Sequence, residues 1–476
     1  MTPASWVNDR LPELLWGCLI ISVVPRVRAL NLLRGIASLG FPYRDKDESA
    51  NWRFYLSEFP DYPEEIQEGF VDVVKNDPLG YASLRPLLLL STLPGRDRWM
   101  ELLGIEPQER DWETLANAVL TTLDHQSQEA TDVRWVCLLF KIALGRMIFS
   151  EELRERAEEI IHYPNRGDMR SVRPSIRAME ISFAMPENEG AAQSDWPSKF
   201  WKECFDRTEC IPADPPRAIG PIHDQNSIFA SLEITHNSVL NGWFDTVESS
   251  GVDAKHDGAF GVVLYALAAL QEMLVGHNAY GITGRALLRT IVESHITLAY
   301  LATTNDLELW RKYRAFGIGQ AKLALLKLDN VQNHPEFAAP DVLESLCNED
   351  YFQEFVPIEL GHWCGLDLRK MAEASDTKED YDRLYGWPSS FVHAHWGAVR
   401  DSTMMHCFNP LHRLHRIPLP GHRMLEGCVA DGIKAVNAMF ANLASIYPSI
   451  EPIPNVQFSE LQVDEENGEA PDGREE

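Results

Sequence analysis

No Cys-x-x-Cys pair occurs anywhere in the 476 residues, and the eight cysteines, at 18, 137, 204, 210, 347, 364, 407 and 428, are scattered. Without a secretory leader ahead of them they do not form a disulfide framework, and they read mostly as core residues in a reducing compartment. A basic surplus is also lacking: 43 Lys and Arg face 71 Asp and Glu, for a net charge of −28. That excludes a broad basic face for duplex DNA or anionic lipid, but leaves room for a local basic pocket. Long apolar runs are short of what a membrane needs. The only early one, Leu14 to Val24, spans eleven residues between Glu13 and Pro25, against about twenty for a bilayer span. The expectation is a cytoplasmic chain without a membrane partner. Missing too are G-x-G-x-x-G, G-x4-G-K-[ST], H-E-x-x-H and any internal repeat, so no nucleotide, dinucleotide or zinc-protease fingerprint is present. The sequence assigns no cofactor and no metal ligand.

What is present is helical periodicity, and the predicted fold class is all-α: an N-terminal helical region and a C-terminal HEPN-like helical bundle. In residues 1–165 apolar positions recur at helical spacing on both sides of Pro25, which should break the first helix. Further helices are predicted at 63–74, 81–90, 112–124, 131–147 and 151–163. Residues 166–225 are richer in proline and glycine and read as an irregular linker region carrying one aromatic helix near 196–206. From 226 to 446 a bundle is predicted, with four long helices to about 330, shorter ones near 366–374 and 378–385, and a last one over 422–446. Residues 461–476, with seven acids and one base, read as a disordered acidic tail.

The chemistry-bearing residues fall in two clusters. Arg285, Arg289 and Glu293 follow one another at intervals of four, on one face of an apolar helix. There they can form a structural ion pair or hold an anionic ligand. Seven of the fifteen histidines lie between His362 and His422: His362, His393, His395, His406, His412, His415 and His422. His362 with Cys364, or His393 with His395, offers a close pair of donors, but neither follows a standard zinc framework. A metal-dependent hydrolase would require at least three of His362, Cys364, His393, His395 and His406 to converge. Ser389 and Ser390 lack the acid and oxyanion site of a nucleophile triad and are expected to cap a helix starting after Pro388. The run His412 to Arg416 is the most basic patch, suited to a nucleic-acid backbone or to neutralisation by the acidic body. The thirteen tryptophans are spread evenly, as core packing requires.

Arg400-Asp401-Ser-Thr-Met-Met-His406 resembles the R-x(4–6)-H signature of the HEPN superfamily, small helical domains that are frequently ribonucleases of bacterial toxin and defence systems. The resemblance implies that Arg400 stabilises a scissile phosphate and His406 transfers a proton, in a site often built across a dimer. Arg289 and His295 give a second match of equal length. Six residues on a helix turn two side chains about 120° apart, so either pair needs a helix end or a second subunit to converge. A second resemblance covers about 226–445. Arg289-x3-Glu293 followed by Ser389, Ser390, Val392 and His393 is similar to an uncharacterised helical family of bacterial proteins, a domain of unknown function. It implies that Arg289, Glu293 and His393 share one polar centre. The opening Trp6 to Trp16 also resembles that of bacterial proteins of unknown role.

Two functions from different classes follow. One is a HEPN-like endoribonuclease or toxin component acting on single-stranded RNA through Arg289, Glu293, His393, Arg400 and His406. The other is a non-catalytic scaffold or sensor that binds a partner protein, a second copy of the chain or a small anionic ligand. The metal-dependent hydrolase stands third.

Overall fold

A computed structural model of the chain describes residues 5–44, 52–147, 149–184, 194–213, 224–328, 335–348, 358, 361–421 and 423–457. The tail at 461–476, His422 and the parts of the expected linker at 185–193 and 214–223 lie outside the described residues. The chain is predominantly α-helical. It divides into two compact units, Met1–Asp214 with His406–Ile417, and Pro215–Met405 with Pro418–Glu476.

In the first unit the principal helices are α1 (Leu15–Val23), α2 (Arg26–Ser38), α3 (Glu64–Lys75), α4 (Asp111–Leu123), α5 (Gln128–Ala143), α6 (Met169–Ala184) and α7 (Trp196–Arg207). Pro25 separates α1 from α2, since it has no N–H to continue the first ladder. At the start of α5 the Ser127 hydroxyl accepts from the N–H of Ala130, which satisfies one of the orphan donors of that helix end. From there α5 runs through the core, with Val133, Trp135, Val136, Leu138 and Phe140 buried, and packs against α1, α2 and α6.

Of the expected linker, the described residues at 169–184 and 196–207 are instead helices of this core. Despite Pro174, α6 is a continuous helix from Met169 to Ala184. Its apolar stripe, including Val172 and Ile176, is buried, and packing of such a face outweighs the hydrogen bond a proline lacks. Glu180 follows on the same helix and lies between Arg10 and Arg134, all three buried.

The second unit contains α8 (Gln225–Thr246), α9 (Ala254–Leu274), α10 (Ile282–Thr304), α11 (Leu307–Leu328), α12 (Leu368–Ala374), α13 (Gly386–Val392), α14 (Trp396–Thr403) and α15 (Val429–Ile446). The last helix begins at Val429, not at 422. Asp224 caps α8 and Asp253 caps α9 through their side chains. Helix α9 is long and apolar enough to cross a membrane by length and composition. Here it is the centre of the bundle, against α8, α10, α11 and α15, with Phe260, Val263, Leu267 and Leu270 buried. Helix α13 begins at Gly386, ahead of Pro388, so the serines do not cap it; the Ser390 hydroxyl reaches back to the Gly386 carbonyl.

Three short strands, β1 (Pro212–Ala213), β2 (Met404–Cys407) and β3 (Arg416–Pro418), lie in the order β1-β2-β3. The β1–β2 pairing is antiparallel, with Pro212 opposite Cys407 and Ala213 opposite His406. This register brings the end of α7 beside a segment nearly two hundred residues later in the chain.

Candidate metal centre

After α7 the chain passes Thr208 and Cys210 and enters β1. Across the ladder, Phe408 donates its N–H to the Ile211 carbonyl at 2.8 Å, and Cys407 sits opposite Pro212, two residues past Cys210. Beyond β2 the chain reverses in eight residues. The Asn409 side chain accepts from the N–H of Leu411 and starts a tight turn over Pro410–His412. Arg413 and Leu414 then take left-handed conformations, with φ of 54° and 53°. His415 closes the knuckle by accepting the Cys407 N–H at its carbonyl, at 3.0 Å. Two successive non-glycine residues in this region cost roughly 1–3 kcal/mol each, and such strain persists where the surroundings impose it, often at ligand-holding sites.

The knuckle places Cys210, Cys407, His412 and His415 so that one donor atom from each lies within 4.8 Å of the others. His412 Nδ1 is 3.4 Å from the Cys407 sulfur and 3.5 Å from that of Cys210, and His415 Nε2 is 3.4 Å from the Cys210 sulfur. Zinc bonds of about 2.3 Å to sulfur and 2.0–2.1 Å to nitrogen, at tetrahedral angles, put S and N about 3.5 Å apart. The three sulfur-to-nitrogen spacings match three of the six edges of such a tetrahedron. Two thiolates and two imidazoles suit zinc among the common divalent ions.

A shell of neighbours orients the donors. The Thr208 hydroxyl has a single proton, which it gives to the Cys204 carbonyl at 2.7 Å. It must therefore accept from His412 Nε2, 3.0 Å away, and from the Asn409 amide at 3.1 Å. With its proton on Nε2, His412 turns the Nδ1 lone pair toward the two sulfurs. The Phe205 ring packs at 5.0 Å from the His412 ring and 5.6 Å from that of His415, and shields one side. Burial and the adjacent Cys407 push the Cys210 thiol up, while burial and His415 hold His412 below its ordinary value. Burial thus disfavours the charged form of the His412 imidazole, and thiol and imidazole ligands of this kind lose protons when they bind a cation.

Beside the donors a cleft of about 420 Å³ is lined by His412, His415, Trp201, Lys202, Arg413 and Asp9, among others. Arg413 is held over the Trp201 ring at 5.2 Å and donates to Asn8 at 2.7 Å.

Residues 259–409 match the sequence profile of a family of unknown function, DUF5677. The matched stretch takes in Arg289, Glu293, His393, Arg400, His406 and Cys407, but not Cys210, His412 or His415. Comparison with curated proteins and with solved structures gives no match.

Within that stretch the residues singled out by sequence are distributed as follows. Arg289 and Glu293 do pair, at 3.3 Å, and Arg289 also donates to the Tyr385 hydroxyl at 2.9 Å with its guanidinium over that ring. Arg285 acts as a brace, donating to the Glu426 carbonyl at 2.7 Å. His295 faces Asp380 at 3.4 Å. His393 is exposed in the turn after α13, stacks on His395 at 5.9 Å, and among the described residues makes no hydrogen bond or ion pair to Arg289 or Glu293. Arg400 is exposed on α14 of the second unit, whereas His406 belongs to β2 in the first; the chain changes from helix to strand between them. His362 and Cys364 meet at 3.3 Å, yet among the described residues no third donor joins them.

The four donors of the candidate centre were therefore not among the ligands the sequence suggested. A signal was present in the spacing Cys407-x4-His412-x2-His415, hidden inside a run that reads as a basic patch. Its fourth member, Cys210, is joined only by strand pairing.

Proposed function

We propose that the first unit binds one zinc-class ion through Cys210, Cys407, His412 and His415, and that the ion pins the His406–Ile417 excursion to the end of α7. The agreement of three sulfur-to-nitrogen spacings with tetrahedral edges is the observation that carries this reading. A site with four protein donors is coordinatively closed, which favours a structural over a catalytic role. The experiment is elemental analysis of protein purified without added metal, then after zinc reconstitution and desalting. About one zinc per chain is expected, falling below a tenth in Cys210→Ser/Cys407→Ser. A reconstituted wild type that keeps no metal overturns the reading.

Metal-dependent hydrolysis is the second reading, and the cleft favours it, since His412 and His415 both open onto a space that Lys202 and Arg413 make attractive to an anion. Chemistry there requires His415 to give up its place to water. A chelator-sensitive activity on phosphodiester or carboxylic ester substrates that survives His415→Ala supports it. Ribonuclease activity of a HEPN-like bundle rests on the resemblance at Arg400 and His406 and on the second match at Arg289 and His295. Its test is incubation with total RNA with and without chelator, comparing wild type with His406→Ala and Arg289→Ala.

A further inference from the structure

The second unit holds a cleft of about 620 Å³ between α9, α10, α11 and the His362–Trp363 segment. This is within the range of small-molecule sites. Its charged lining is Asp257 and Glu293, with no lysine or arginine. Glu293 has Arg289 beside it, but Asp257 forms no ion pair among the described residues. The opposite walls are aromatic: Trp363 meets Tyr313 edge to face at 5.2 Å, and Phe316 and Tyr265 continue the surface.

Two details show that the space is kept open and polar. A side chain at Gly261 would meet nothing within 4 Å, so neither packing nor an unusual φ demands glycine there, although glycine weakens a helix interior. Its effect is to leave the cleft wall bare. On α10, Thr290 and Ser294 turn their hydroxyls back to carbonyls four residues earlier. Thr297, which is 8% exposed and also lines the cleft, makes no such bond among the described residues. Its hydroxyl opens onto the cleft and is therefore available to a group that enters it.

We propose that this cleft binds a small organic ammonium ion, held by Asp257 and Glu293, hydrogen-bonded to the Thr297 hydroxyl and seated against the faces of Trp363, Tyr313 and Tyr265. Cations are drawn to aromatic faces, Trp most strongly, and the −28 charge of the chain raises their local concentration. The site is independent of the metal centre.

Isothermal titration of the full chain with spermidine and with choline tests this, using succinate as the anionic control. Saturable binding of at least one cation and none of succinate is expected. Asp257→Asn should weaken that binding at least tenfold, Thr297→Val three- to tenfold, and Gly261→Leu should block it. Glu109→Gln, an exposed acid in the first unit, should leave it unchanged. Each variant's helical circular dichroism and melting point are checked; if Gly261→Leu melts early, Thr297→Val carries the comparison. Absence of heat with both cations overturns the proposal. So does a loss of affinity in Glu109→Gln equal to that in Asp257→Asn, which would mark diffuse attraction to an acidic surface.

Discussion

Thr208 sets the tautomer of His412. Its own proton goes to the Cys204 carbonyl, so the imidazole has to donate from Nε2 at 3.0 Å and present Nδ1 to the sulfurs of Cys210 and Cys407. Partners that orient a ligating histidine commonly account for 10–100-fold in metal affinity.

Thr208→Val is therefore expected to leave all four donors in place and weaken zinc binding by about 10–100-fold, measured by competition with a chromophoric chelator. Unchanged affinity would mean that the His412 ring is oriented by Phe205 packing alone.

Removing the proposed ion should loosen the first unit. Nothing that binds only the folded state can be withdrawn without lowering stability, and with ligand at a hundred times its Kd the effect is about 2.7 kcal/mol. Addition of a strong chelator should lower the melting temperature, and readdition of zinc should restore it. In Cys407→Ser the chelator-induced shift should vanish. A wild-type melt indifferent to chelator would contradict the structural role.

The helical architecture was legible because its evidence is local. The break at Pro25 and the long apolar helices of the second unit depend on spacing within a few turns. The candidate metal centre depends on Cys407 pairing with Pro212, two residues past Cys210, in a two-residue ladder, for which short strands leave almost no periodicity. Helix α6 was obscured differently, since Pro174 and the polar residues around it read as irregular until the core supplies partners for them. Of the site residues suggested by sequence, only the Arg289–Glu293 pair, four apart on one helix, could be placed by spacing.

Those partners make Glu180 a sensitive position. Its carboxylate is the anionic neighbour of both Arg10 and Arg134, and all three side chains are at most 4% exposed. Removing one member of a buried ionic group costs about 3–5 kcal/mol, because the remaining charge is left without compensation. Glu180→Gln should lower the urea midpoint of the first unit accordingly. A shift below about 1 kcal/mol, the range of an exposed pair, would show that the two guanidinium groups find other partners once the carboxylate is gone.

Glu13 gives the first unit a pH dependence of unusual sign. The residue is 4% exposed, and burial pushes its carboxyl from 4.5 up to about 7, even though it accepts the Ser57 N–H at 2.9 Å. Between these two values the folded chain keeps a proton that the unfolded chain has released. Stability from this group is complete below pH 4.5 and is lost as pH rises through 7. The loss approaches roughly 3 kcal/mol on the alkaline side. Glu13→Gln can still accept from Ser57 but has no proton to lose, so it should match the wild type at pH 4.5 and exceed it by about 2–3 kcal/mol at pH 8.5. Urea midpoints of both proteins at the two pH values decide the matter. An equal difference at both would assign the effect to packing of the amide, and a wild type favoured at pH 8.5 would show that the ionised carboxylate is stabilised by Ser57 and Arg53 more than it is penalised by burial.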